Sequence, residues 1–291
     1  MNKIVPLKTD DTSLAFGGQA VIEGVMIRSQ KQTVICVREH DRTISTVIQD
    51  IQPFTERYPI LKFPLIRGVP AMVETLYRGI KGLILSANIA LEEEGETFTL
   101  KEIAITLMMS LAIVSFFIVI PTLLAGFLAI PNVVSNIIEV ITRFSLFLLY
   151  LLLVSQWSEV TRVFQYHGAE HKVINAYEAG EPLNLATAKK HSRLHPRCGT
   201  SFLFIVMLVS ILLFSLLPSS SIVMRLVYRF ILIPVIASLS YELLKLSGKY
   251  RNSKIIRGLI QPGLQLQRLT TKEPDDDMIL VALQAVNQIT S

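Results

Sequence analysis

Hydrophobic and polar positions alternate in three rhythms along this chain, and each predicts a different kind of element. Residues 20–28, 33–38 and 43–51 carry short β-branched, period-two runs, with Glu39-His40-Asp41-Arg42 between the last two, and predict a small β unit with a turn there. Over 65–90 the apolar residues recur at helical spacing, while Arg67, Glu74, Arg78 and Lys81 take other positions. That pattern predicts an amphipathic helix lying at a membrane interface and leading into the first span. Four stretches are apolar throughout: 103–130, 137–157, 202–217 and 222–246. A helix needs roughly twenty apolar residues to cross a bilayer, so all four are expected spans, the third short for one. Pro121 and Gly126 fall inside the first, where a membrane helix tolerates them. The link 131–136 closes one hairpin, and Pro218 with the three serines after it closes a second. In the tail, Pro274 and Asp275 to Asp277 put acidic groups at the positive end of a helix over 278–289.

These elements predict an α+β membrane protein with four transmembrane helices in two hairpins, a small N-terminal cytoplasmic β unit, an interfacial helix and a C-terminal helix. The expected divisions are 1–60 for the β unit, 61–102 for the interfacial helix and 103–157 for the first hairpin. A His-rich cytoplasmic loop over 158–201, a second hairpin over 202–247 and a tail over 248–291 follow. The first sixteen residues lack the basic and apolar regions of a secretory signal, so the N-terminus is expected to stay in the cytoplasm. Lys and Arg number twelve up to Lys101, six over 158–200 and six from Gly248, and none at either hairpin tip. Positive charge is retained inside, which places both termini and the central loop on the cytoplasmic face of the plasma membrane.

Apolar residues make up 51% of the chain, which a soluble domain would not show. The net charge of +5 raises a nucleic-acid reading, but no basic face with interleaved aromatics supports one. Lys245, Lys249, Arg251, Lys254 and Arg257 follow the last span, where they would meet anionic lipid head groups. Two cysteines, Cys36 and Cys198, give no disulfide framework. Charges inside the spans need partners, and Glu139 with Arg143, and Arg225 with Arg229, sit at helical spacing. An ion-pair cluster between the hairpins is expected, in preference to a transport path. Gly17-Gly18 is a turn signal, and no phosphate-cradling glycine loop occurs.

Four of the five histidines fall between His167 and His195. His167-Gly168-Ala169-Glu170-His171 has the H-x-x-E-H order that puts two imidazoles one helical turn apart with a carboxylate beside them. Such a pair can hold a divalent metal, zinc above all, with Glu170 as general base toward a metal-activated water. Gly168 does nothing to help that helix. His191 and His195 repeat the four-residue spacing, and Cys198 follows, so His191, His195 and Cys198 are further candidate ligands. Glu178, Glu242 and Glu23 are possible additions; Glu242, inside the fourth span, requires the loop to fold back. Cys198 as a nucleophile with His195 as its base is a minor alternative.

The segments Gly17 to Met26 (GGQAVIEGVM), Tyr166 to Tyr177 (YHGAEHKVINAY), His195 to Phe202 (HPRCGTSF) and Leu269 to Asp276 (LTTKEPDD) resemble the YqhQ-like family of multi-pass membrane proteins, regarded as predicted metal-dependent enzymes. The resemblance implies a β unit, four spans and a tail around a metal centre in the His167 to Cys198 loop, and it supplies no substrate. It also suggests that Glu23 and Arg28 approach the histidines as ligand or substrate contact. The expected function is a metal-dependent hydrolase. The alternatives are a noncatalytic scaffold, homo-oligomeric or recruiting a membrane-protein partner of a biogenesis or transport complex, and a small transporter.

Overall fold

The computed structural model of the chain describes residues 16–29, 31–53, 58–90, 100–127, 132–217, 221–250 and 253–290. They form an α+β fold that is mostly helical, with a four-stranded antiparallel sheet near the N-terminus. The strands are β1 (Gly17–Val21), β2 (Gly24–Arg28), β3 (Gln32–Arg38) and β4 (Ile44–Asp50), in that order across the sheet. The run expected as one strand over 20–28 is therefore two. The chain reverses at Ile22-Glu23, where Glu23 takes a left-handed φ of 50°, and β1 pairs back with Val21 opposite Gly24.

Both faces of the sheet are covered, which explains the unbroken apolar run of β3. Val34 and Cys36 join one core with Tyr166, Val173, Met278 and Val281. Ile35 and Val37 join a second core with Val21, Met26 and the partly buried Leu85 and Ile89. Helix α1 (Gly68–Ala90) supplies the cover on the second face. On the first face lie α4 (Ser158–Glu178) and α9 (Asp276–Thr290). The stretch expected as a loop is thus largely helix, completed by the short α5 (Leu185–Lys190), whose cap Asn184 accepts from the Thr187 amide at 2.9 Å.

Beyond this layer lie α2 (Leu100–Phe127), α3 (Asn132–Val154), α6 (Gly199–Ser215) and α7 (Ile222–Lys249). Among the described residues three helices are long and apolar enough to cross a membrane: Ala104–Phe127, Val134–Val154 and Ile222–Ser247. Three of the four expected spans are thus present as long apolar helices, and the third, expected to be short, is a shorter apolar helix. Helix α6 has 17 residues, which at 1.5 Å per residue is roughly 25 Å, short of a hydrocarbon core of about 30 Å. Its first turn is spent elsewhere: Thr200 and Ser201 are buried and hydrogen-bonded to the segment that follows α7.

That segment is α8 (Lys254–Thr270), which lies along α6. No helix is expected there from the sequence, and Gly258, Pro262 and Gly263 within it disfavour one. Within the apolar bundle Glu139 accepts from Arg143 Nη2 at 2.6 Å, Arg229 Nε at 2.7 Å and Thr122 Oγ1 at 3.1 Å, with Arg229 Nη2 on its other oxygen. The ion-pair cluster read from the spacing of these charges has this geometry.

Candidate functional site

Helix α4 is buried on nearly every side from Tyr166 to Ala176, so its side chains meet neighbours in all directions. Gly168 is what lets one neighbour close in. A Cβ there would lie 2.1 Å from the carbonyl oxygen of Lys272. The crossing is held by the Lys272 amide donating to the Phe164 carbonyl at 2.8 Å. A glycine inside a helix costs about 1 kcal/mol against alanine, and here that cost brings the end of α8 against the histidines.

The consequence is an oriented ring. His167 Nδ1 lies 2.8 Å from the Thr270 carbonyl. His171 Nδ1 lies 2.6 Å from the Arg193 carbonyl. A carbonyl can only accept, so both Nδ1 atoms carry the proton and both Nε2 atoms of the neutral rings keep a lone pair. His167 Nε2 faces Cys198 Sγ at 3.2 Å. Cys198 caps α6, its sulfur accepting from the Thr200 amide at 3.4 Å. One ligand atom from each of His167, His171 and Cys198 lies within 4.8 Å of the others. Among the described residues this is a group that could hold a metal ion. Imidazoles held by a backbone carbonyl through the second nitrogen are the usual form of metal-ligating histidines.

Glu170 stands beside this group, with Oε2 3.5 Å from His171 Nε2. Burial pushes its carboxyl above the usual carboxylate range, against the opposing pull of His167 and His195. Strand β1 makes the lid: a Cβ on Gly18 would lie 1.9 Å from Glu170 Oε1, so a larger residue there would have to displace this carboxylate. His195 is also buried, its ring centroid 5.7 Å from that of His171. Burial pushes its imidazole pKa down, with Glu178 pulling the other way. Its Nε2 lies 3.3 Å from Glu178 Oε1 without hydrogen-bond alignment, and Glu178 is also engaged by Arg197.

The remaining candidates lie outside the ring. His191 Nε2 faces Glu181 Oε2 at 3.3 Å, across α5 from the cluster. Glu242 is held by Arg67 through two hydrogen bonds of 2.7 and 2.6 Å, at the entrance to α1. Glu23 does reach α4, but at Arg162, whose Nε donates to it at 2.6 Å, and at the Tyr166 hydroxyl, 3.4 Å away. Arg28 is half-buried beside Glu74 and Arg78 of α1, and burial lowers its pKa.

Several contributors were missed by reading the sequence. Gln267 of α8 is fully buried; its amide accepts from the His195 backbone N–H at 2.9 Å and donates to the His195 carbonyl at 2.7 Å and Ser201 Oγ at 2.8 Å. Thr270 and Arg193 act through backbone carbonyls, which no side-chain pattern reports. Gly18 and Thr270 did lie inside the segments that carry the family resemblance, and that was the available signal.

A family model described as "Protein of unknown function (DUF1385)" matches residues 63–291. The uncharacterized protein YqhQ of Bacillus subtilis (strain 168) is 35% identical over 293 residues, which span 94% of this chain and 92% of that protein. No solved structure matches the chain significantly.

Proposed function

The chain belongs to the DUF1385 family, of unknown function, and from that premise we propose that it is a membrane-embedded metalloprotein with a hydrolytic centre. His167, His171 and Cys198 are the ligands of one divalent cation, zinc by the chemistry of the donor set, and Glu170 is the base. The observation that carries this reading is that one ligand atom from each of His167, His171 and Cys198 lies within 4.8 Å of the others while both Nδ1 atoms donate to carbonyls, which leaves Nε2 of each ring as its ligand atom. Three protein ligands with a further position open are the pattern of catalytic rather than structural zinc.

A zinc ion bound there would supply Lewis-acid activation of water near neutral pH. The chain's own groups do the rest. Glu170, dry and packed under Gly18, is placed to take a proton within about one side chain's reach of His171. The carbonyls of Thr270 and Arg193 hold the two imidazoles in one tautomer and orientation. We read α6 as a fourth, shortened crossing, which closes two hairpins. The Lys and Arg distribution then puts both termini and this site on the cytoplasmic face of the plasma membrane.

One observation favours a second reading. Buried His195 lies with its ring centroid 5.7 Å from that of His171, and it would complete a four-ligand site by leaving Glu178 and giving up the Nε2 proton that the Arg197 amide, donating to Nδ1 at 3.4 Å, assigns to it. Such a site would lock α4, α6 and the end of α8 together as a scaffold for a partner membrane protein.

Metal content per chain, measured by plasma mass spectrometry, tests the proposal. Near-stoichiometric zinc is expected, lost in the His167→Ala, His171→Ala double variant. No metal in either protein would overturn it. X-ray absorption of the loaded protein separates the readings: one sulfur and two imidazoles support the open site, and one sulfur and three imidazoles the closed one. In the open case Glu170→Gln should abolish turnover of ester or phosphate-ester substrates while keeping the metal.

A further inference from the structure

A cavity of about 360 Å³ lies within the apolar bundle among α2, α3, α6 and α7, with Met72 of α1 and Leu266 of α8 at its wall and none of the histidines lining it. Its wall is aromatic and aliphatic, with Phe117, Phe147, Met207 and Phe214 prominent, except where Arg143 and Arg229 reach it. Cavities of this size, mostly apolar with a few placed polar groups, are the usual form of a small-molecule site.

Among the described residues the charges at its polar end do not balance. Arg143 and Arg229 are two guanidinium groups, which proteins do not deprotonate, and they share one carboxylate, Glu139. Glu139 already serves both arginines: one oxygen accepts from Thr122, Arg143 and Arg229, and the other from Arg229. Phe214 lies 4.9 Å below the Arg229 guanidinium and 5.6 Å from that of Arg143, which softens the positive charge without cancelling it. An excess positive charge among apolar helices is costly unless an anion meets it. Arg143, whose side chain is 16% exposed, is the group positioned to meet one.

We propose that this cavity binds an anionic lipid, its acyl chain along the aromatic wall and its charged head on Arg143 and Arg229. The apolar wall excludes a small free anion, and the arginines select against a neutral or zwitterionic lipid of the same chain length. The site rests on the bundle lying in a membrane and needs no metal, so it stands or falls separately from the histidine centre.

The test is native mass spectrometry of the full chain in detergent, titrated with dioleoyl phosphatidylglycerol or dioleoyl phosphatidylcholine. Phosphatidylglycerol should be retained with an affinity about tenfold or more higher, as a charge-assisted contact would give. Arg143→Gln leaves the Arg229–Glu139 pair intact and balanced, and it should remove that preference while a lipid still binds. Val206→Trp, which fills the cavity wall, should abolish binding of both lipids. Equal retention of the two lipids by the unchanged protein would overturn the proposal, as would a preference that survives Arg143→Gln. A dimer that carries no lipid would assign the cavity to a second copy of the chain and overturn it too.

Discussion

The molecule holds two buried polar clusters, and they solve the problem of burial in opposite ways. Around Glu139 the donors point inward: guanidinium and hydroxyl protons converge on one carboxylate and reach both of its oxygens. Around His167 the donors point outward to carbonyls, and what converges is lone pairs and a sulfur. The first cluster is held by its own protons, with positive charge to spare. The second is electron-rich at its centre, where the Cys198 sulfur faces the His167 lone pair and the Glu170 carboxyl lies beside that of His171. Proton direction, more than residue type, separates an ion-pair lock from a cation site.

The comparison breaks most sharply if the arginine cluster loses its centre. Glu139→Gln leaves two buried guanidinium groups sharing one neutral amide, and should cost about 3–5 kcal/mol, read as a large drop in unfolding temperature in detergent. An unfolding temperature unchanged from the native chain would mean that those arginines reach lipid or water instead. In the histidine cluster the largest single loss outside the ligands is expected from Gln267→Ala. It strands the His195 backbone N–H and should cost about 1–3 kcal/mol, with metal lost to a competing chelator more readily than from the native chain.

Gly168→Ala reverses an ordinary rule. Alanine normally stabilises a helix interior, but the new Cβ would collide with the Lys272 carbonyl. A net destabilisation of about 1–2 kcal/mol is expected, with metal affinity down roughly 10-fold as the Thr270 carbonyl moves off His167. A more stable variant would show that the crossing is loose. The smallest effect is predicted for His191→Ala, which touches Glu181 and not the ring. It should leave metal content unchanged and shift stability by less than about 1 kcal/mol; metal loss there would enlarge the site across α5.

Legibility differed by kind of signal. The apolar runs over α2, α3 and α7 were plain, because a membrane helix needs no periodicity to be seen. Helix α4 was hidden for the opposite reason: covered on all sides, it carries no amphipathic stripe, and Gly168 speaks against a helix. The motif from His167 to His171 was legible as a ligand pair, and Cys198 as a nearby thiol. Choosing Cys198 over His191 was not, since both are equally eligible by spacing. Gln267 and the end of α8 gave no side-chain signal, and Gly18 looked like a turn because its neighbour, Glu170, is far away in the chain.

By itself, then, the sequence determined the membrane character, the β character of the N-terminal unit and the concentration of imidazoles, because composition and periodicity are local properties that no later packing can erase. Only the tertiary structure decided which of those groups meet, which nitrogen of each ring bears the proton and which carboxylate belongs to an arginine. Those depend on contacts across 103 residues for the Thr270 carbonyl on His167 and 175 for Arg67 on Glu242. At such separations chain spacing carries no distance information, and burial with hydrogen-bond satisfaction sets the outcome.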